Sequence, residues 1–286
     1  MMEAMQIPSA AEVLRTVDRV HAEFPFRGYI SGAVRHGLAH VVPEVARHVR
    51  AEGKPKLLDI GSGPMDKTAV LQALGFECSA VDDLGDPWHR RGDNLEKIQA
   101  FARVNGIRFH LQDGTHAIPF PPGSFDVVTI FDVIEHLHES PRGILNAAGT
   151  QLKTGGVLAV TMPNSVNLRK RLSVLRGRTN YPDVDQFYLS TDGWRGHVRE
   201  YTLNETARLC EAAGFRVESA TAFEGNAYDM LRGAKLRAYL AFSSLVPTLR
   251  SALLVVARKP EGWAPRAEDP EAFRRSQEGV VPQAVL

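Results

Sequence analysis

The sequence predicts an α/β protein: a doubly wound, mixed sheet of seven strands with N-terminal helices and one large insertion. Three observations predict it. From residue 54 onward, short apolar runs alternate with helix-length amphipathic segments, the pattern of a mainly parallel sheet covered on both faces. The first run, KLLDI, enters the turn Gly61-Ser62-Gly63 and then a helical stretch closed by Gly75. Acids stand at the ends of the first three runs, at Asp59, Asp82 and Asp113, and open α/β sheets bind ligands at the carboxyl ends of their strands.

The elements follow in order. Residues 1–53 read as a helical segment, because AEVLRTVDRVHAEF and HVVPEVARHVRAE carry apolar residues at helical spacing around PFRGYISG. The strands are KLLDI, ECSAV, IRFHL, FDVVTIF, VLAVTM, FRVESA and LLVVA. Ser140-Pro141 puts an N-cap before a proline at the first helical position. Ile144, Leu145, Ala148 and Leu152 then form one stripe, which Gly155-Gly156 ends. Thr202 to Glu205 is a capping box, and Gly214 closes its helix. Residues 163–200 interrupt the alternation and read as an insertion. Residues 54–258 thus form the main domain, and the proline- and charge-rich stretch 259–286 a loosely ordered tail.

Composition excludes several classes. The 286 residues are 44% hydrophobic and 23% charged, enough for a full core, and the net charge of +1 gives no global case for nucleic acid or anionic membrane. Cys78 and Cys210 lie far apart in apolar segments and read as buried thiols. The N-terminus lacks a basic region followed by an apolar run, and no uncharged apolar run reaches the roughly 18–20 residues of a membrane span. A cytoplasmic protein is expected.

Gly61 and Gly63 let the backbone approach a ligand, and the next helix offers free N–H groups and partial positive charge. A dinucleotide turn, G-x-G-x-x-G, would hold a pyrophosphate. Here the sixth position is Asp66, whose carboxylate opposes that anion. Asp59 instead suits a ligand with a cationic amine. A carboxylate at Asp82-Asp83 can accept from ribose hydroxyls, and Gln112-Asp113 can meet a nucleobase edge. Singly these acids read as helix caps; their order favours a ligand.

The stretches LLDIGSGPMDK, AVDDL, LQDGTHAIPFPPGSFDVVTIFDVIEHL and LKTGGVLAVTMPN resemble the class I S-adenosylmethionine-dependent methyltransferases. The resemblance is close over residues 56–162 and looser to the last strand at 253–257. It implies a Rossmann-like fold with S-adenosyl-L-methionine as cofactor. Asp59, Gly61 and Gly63 would hold its methionine end, Asp82 its ribose (with Asp83 the lesser alternative) and Asp113 its adenine amine, with Thr115 or His116 flanking the adenine. Met65 stands where the family often has glycine. Pro64 already stiffens the turn, and Met65 is expected to pack beside the cofactor and to lower its affinity.

Methyl transfer from a sulfonium needs alignment and exclusion of water, and a hydroxyl acceptor gains from a base tuned near neutral pH. FDVIEHLH resembles the family's E-H-apolar motif beside the cofactor. His136 is the first base candidate and His138 a lesser one, while Glu135 orients a histidine or caps a helix. His197, in the insertion, is the second base candidate. The insertion reads as an acceptor lid. Arg169, Lys170, Arg171, Arg176 and Arg178 occur there without an acid. Such a run is usually a solvated face, but arginine forks suit phosphate or carboxylate. Arg169, Arg171 and Arg195 are therefore the substrate-binding candidates. Trp194 and Tyr201 read alternatively as the core of the lid.

PNSVNLRKRL, GRTNYP and GHVREYT resemble methyltransferases of bacterial polysaccharide and glycolipid biosynthesis. This implies a saccharide or other small polar acceptor, methylated on oxygen. The alternatives are an N- or C-methyltransferase of a quinone or natural product, and a non-catalytic S-adenosylmethionine-binding protein. No D/N-P-P-Y-type stretch points to nucleic acid as a partner. The apolar part of AYLAFSSLVPTLRSALLVVARKP reads as core, with a surface for transient membrane contact or a lipid-linked substrate as the alternative. Some O-methyltransferases use a divalent ion, which makes a His–His–Glu metal site an alternative, but no compact set of acidic ligands stands out, so no metal is expected.

Overall fold

The computed structural model describes residues 3–112, 118–191 and 193–277. One sheet contains β1 (Lys56–Ile60), β2 (Glu77–Asp82), β3 (Arg108–Leu111), β4 (Phe125–Phe131), β5 (Leu152–Pro163), β6 (Arg216–Phe223) and β7 (Ala252–Arg258). Its order is β3-β2-β1-β4-β5-β7-β6. The first five are parallel, and β7 runs antiparallel between β5 and β6. This is the expected doubly wound, Rossmann-like seven-stranded mixed sheet. Strand order reverses between β1 and β4, which opens a crevice above their carboxyl ends.

Alternation of side chains explains why the strands read as continuous apolar runs. Leu57, Val127, Val157 and Leu254 belong to one buried cluster, and their neighbours Leu58, Val128, Leu158 and Leu253 to another. Successive residues point to opposite faces, and both faces are covered.

Helices α1 (Ala10–Glu23) and α2 (Gly32–His48) form the N-terminal segment, each capped by a serine, Ser9 and Ser31. Val13, Val17 and Val20 of α1 and Leu38, Val42 and Val45 of α2 are buried in the cluster that contains Leu57. Helices α3 (Asp66–Ala73), α4 (Asn94–Val104) and α5 (Arg142–Gln151) connect the parallel strands. The insertion carries α6 (Leu168–Leu175) and α7 (Val184–Tyr188). Then come α8 (Leu203–Ala212), α9 (Ala227–Met230), α10 (Gly233–Leu245) and α11 (Pro270–Gln277). The capping box at Thr202 and Glu205 forms. Both cysteines are buried and free. Among the described residues, no helix is long and apolar enough to cross a membrane.

Three points differ from expectation. Glu3–Ala4 and Arg50–Ala51, at the two ends of the segment read as helical, pair as a short antiparallel two-stranded sheet. Helix α5 ends at Gln151, not at the glycine pair, because Leu152 pairs with Phe125 and starts β5. The tail is also anchored at its start. Trp263 donates from its indole to the Ala213 carbonyl at 2.8 Å, Asn146 exchanges hydrogen bonds with the Arg266 backbone, and Arg142 pairs with Glu268. Apolar and polar partners on α5 and α8 thus outweigh the entropy of ordering a stretch whose composition reads as loose.

Candidate active site

After β1 the chain turns through Gly61 and Gly63, with φ of 74° and 54°, and enters α3 at Met65, φ 65°. A side chain at Gly61 would meet Val133 at 2.4 Å, so only glycine lets the turn and the loop after β4 approach. The turn is latched to β2: the Asp82 carboxylate accepts from Gly63 N at 2.7 Å and from Leu84 N at 2.6 Å. Asp59 lies beneath the turn, 2% exposed. It accepts from Thr68 at 2.6 Å and Thr129 at 2.7 Å, and burial raises its pKa and that of Asp82. Asp66, also buried, is pushed up to about 6 by loss of solvent.

A cleft of about 620 Å³ lies above these strand ends, lined by Gly61, Asp82, Asp83, Gln112, Val133 and Arg195 among others. Asp59 forms part of its support and not of its wall. Met65 is fully buried in the core cluster beside the N-terminal helices. This corrects the expectation that it packs beside the ligand: a left-handed φ turns its side chain into the core. Asp113, Thr115 and His116 lie outside the described residues.

A second, smaller cavity of about 290 Å³ adjoins the first. Val34, Leu38 and Val41 of α2, with Phe131 and Phe223, give it apolar walls. Lys67, Asp132, Glu135, His136 and His197 form its polar end. His136 lines both cavities. Its Nδ1 lies 2.9 Å from the Arg195 carbonyl. A carbonyl only accepts, so Nδ1 is the donor, and in the neutral ring this tautomer leaves the lone pair on Nε2. His197 Nδ1 lies 2.7 Å from Glu200 Oε1, which fixes the same tautomer there. Burial, then His136 and Lys170, push His197 down to about 4. Asp132 loses solvent, but Lys67 holds its carboxyl below the usual range. Burial, then Asp132, push Glu135 up to about 8.

The other candidates lie elsewhere. His138 Nε2 contacts the Trp194 carbonyl at 2.9 Å, so it pins the lid backbone beside the His136 contact. Arg195 borders the larger cleft, not the smaller cavity, and its guanidinium packs on Gly85. Arg171 bonds the Val166 carbonyl and Thr248. Neither Arg169 nor Arg171 lines either cavity. Sequence reading missed Lys67 and Asp132, which stand inside the recognised stretches but follow no spacing of their own. It also missed the α2 wall, since an amphipathic helix reads alike over a sheet or a cavity.

A sequence profile of the family described as "Methyltransferase domain" matches residues 29–220. The chain belongs to this family, the S-adenosylmethionine-dependent methyltransferases. Similar curated proteins include "Ubiquinone biosynthesis O-methyltransferase" of Rickettsia felis, 27% identical over 138 residues, 48% of this chain and 52% of that protein. A "Probable S-adenosylmethionine-dependent methyltransferase" of Mycolicibacterium smegmatis is 32% identical over 127 residues, 44% of this chain and 42% of that protein. The chain spans about half the length of the curated relatives it matches. Among solved structures, an S-adenosylmethionine-dependent methyltransferase from Mesorhizobium loti aligns with a TM-score of 0.52 at 18% identity, covering 79% of this chain and 97% of that one. The "[4+2]-Cyclase SpnF" gives 0.52 at 17%, covering 91% and 100%. These likenesses show the shared fold.

S-adenosylmethionine is the cofactor that membership of this family implies, and the residues present fit it. Gly61 leaves no bulk at the crevice, and Asp82 and Asp83 line it with carboxyl groups. That charge suits an amine or sulfonium and disfavours a pyrophosphate.

Proposed function

We propose that the protein is an S-adenosylmethionine-dependent O-methyltransferase of a small hydroxylated acceptor with an apolar body. One observation carries the reading: His136 stands in the wall common to the large cleft at the strand ends and the smaller cavity against α2. In this arrangement Gly61, Gly63 and Asp82 hold the cofactor, which supplies an electrophilic methyl group when bound. The apolar walls from α2, Phe131 and Phe223 seat the acceptor. His136 presents the Nε2 lone pair to the acceptor hydroxyl, and the lid contacts from His136 and His138 keep water out. The relatives named for O-methylation in ubiquinone biosynthesis support oxygen over nitrogen or carbon as the methylated atom.

A saccharide acceptor is the second reading. A polar cavity of about 430 Å³, lined by Asn180, Tyr181, Arg199 and Glu205 among others, also reaches His197. Tyrosine and hydrogen-bonding groups of this kind suit a sugar.

The test is transfer of labelled methyl from S-adenosylmethionine to a panel of phenolic and saccharide acceptors, with product masses. The expected product carries one methyl ether on a phenol. Val34→Phe, which narrows the apolar cavity, is expected to raise the acceptor KM while cofactor affinity holds. Methylation of sugars alone, with KM sensitive to Tyr181→Ala and not to Val34→Phe, moves the acceptor to the polar cavity. Cofactor binding without transfer to any acceptor class favours a non-catalytic binding protein.

A further inference from the structure

We propose that Glu135, His136 and His197 form a binding site for one divalent first-row transition-metal ion, Zn²⁺ or a close analogue. No metal is expected from the sequence, where no compact set of acidic ligands stands out and His197 lies far along the chain in the lid. The fold brings one ligand atom of each of the three residues within 4.8 Å of the others. His136 Nε2 and Glu135 Oε1 are 4.0 Å apart, and the two imidazole rings meet edge to face at 4.8 Å. A Zn²⁺ ion with ligands at its usual distances needs ligand atoms about 3.4 Å apart, so separations of up to 4.8 Å must close by at most about 1.4 Å to complete the set.

Two independent features point to an ion. First, Glu135 is fully buried, yet neither of its carboxylate oxygens has a hydrogen-bond partner. Buried polar groups are nearly always bonded, and an unpaired one costs about 1–3 kcal/mol or more. A cation between Glu135 and the two histidines removes that cost. Second, both histidines are already oriented as ligands. His136 donates from Nδ1 to the Arg195 carbonyl and His197 donates from Nδ1 to Glu200. Metal-bound histidines commonly donate their second ring N–H in this way, to a carbonyl or carboxylate.

The surrounding charges permit the ion. Two ammonium groups face the cluster, but each is engaged by its own carboxylate, Lys67 by Asp132 and Lys170 by Glu200. Glu135 is the carboxyl neither ammonium engages, and an ion bound there would take the place of its proton. Two imidazoles and one carboxylate suit Zn²⁺, Mn²⁺, Fe²⁺ or Co²⁺; Mg²⁺ prefers oxygen ligands. Three protein ligands leave positions open to the smaller cavity, where an acceptor hydroxyl can ligate. Such an ion would act as a Lewis acid that eases loss of the acceptor O–H proton to water. In that case His136 serves the reaction through the ion and not as the proton acceptor.

The site is testable without any acceptor, so its failure is separate from failure of the methyltransferase reading. Untagged full-length protein is stripped with a chelator and titrated with ZnCl₂ and CoCl₂, with MgCl₂ as control. Calorimetry is expected to give one equivalent of Zn²⁺, and Co²⁺ a visible absorption band of histidine and carboxylate ligation. His197→Ala and Glu135→Gln are each expected to weaken binding about 100-fold or more and to abolish the Zn²⁺-dependent rise in melting temperature. His197 stands on the lid and is partly exposed, so His197→Ala tests the site even where Glu135→Gln fails to fold. Binding below one equivalent by the wild type, or equal affinity in wild type and His197→Ala, overturns the proposal.

Discussion

The Asp82 carboxylate accepts the backbone N–H of Gly63 at 2.7 Å, joining the end of β2 to the glycine turn after β1. Its other oxygen accepts from Leu84 N at 2.6 Å. One side chain thus shapes the turn and faces the cleft proposed for the cofactor. Asp82→Ala removes both bonds to the backbone and any bond to ribose. It is expected to lower stability by about 1–3 kcal/mol and S-adenosylmethionine affinity at least about tenfold. Calorimetric titration and denaturant unfolding read the two effects apart. Unchanged affinity with lowered stability reduces Asp82 to a latch.

Met65 sets two effects against each other. Its left-handed φ of 65° costs about 1–2 kcal/mol in a non-glycine residue. Its side chain, however, is fully buried in the core, and truncating such a methionine costs about 2–5 kcal/mol. Packing wins this comparison. Met65→Gly is expected to destabilise the protein by about 2 kcal/mol while changing cofactor affinity little, since Met65 does not line the cleft. Denaturant unfolding and calorimetric titration check both halves. A gain in stability would mean that the strain outweighs the packing.

Glu218 ties the far edge of the sheet to α2. Its carboxylate accepts from Arg258 Nε and a second Arg258 nitrogen, both at 2.6 Å, and from Arg216 at 2.8 Å. His48 Nδ1 lies 3.1 Å away. Chiefly the Arg258 fork lowers Glu218 from 4.5 to about 2. A folded-state pKa below the unfolded one contributes stability that is full above about pH 4.5 and is lost as pH falls toward 2. The contribution at pH 7 is about 1–2 kcal/mol after allowance for solvent around the cluster. Unfolding curves of wild type and Glu218→Gln are therefore expected to differ by that amount at pH 7 and to converge as pH falls to about 2. A constant gap across this range removes the Glu218 charge as its source.

The strands were legible because glycine and proline punctuate short apolar runs, and the first glycine turn because its geometry admits little else. His136 was legible from Glu135-His136-Leu137. Its meeting with His197 was not, because the lid folds back over a long insertion and no local period records that return. The arginine run stays ambiguous for a related reason. Charge without a counter-ion reads equally as a binding patch or a solvated face, and Arg171 finds its partners on Val166 and Thr248. Met65 shows the same limit at a single residue, since composition does not reveal a left-handed φ.

The tail supplies the last test. A Cβ added at Gly149 would lie 2.1 Å from the Trp263 ring. That ring sits on α5 because residue 149 has no side chain, and its indole then reaches the Ala213 carbonyl at 2.8 Å. Farther along, Glu268 pairs with Arg142 and borders the larger cleft. Gly149→Ala is expected to expel the indole, shift tryptophan emission to the red and open residues after 259 to limited proteolysis, at a cost of about 1–3 kcal/mol. Trp263→Ala alone should release the same segment. Because both changes act on one contact, the double variant is expected to cost little more than Trp263→Ala. Full additivity would place the Gly149 effect inside α5, and intact cofactor affinity in all three variants would separate the tail from the cleft that Glu268 borders.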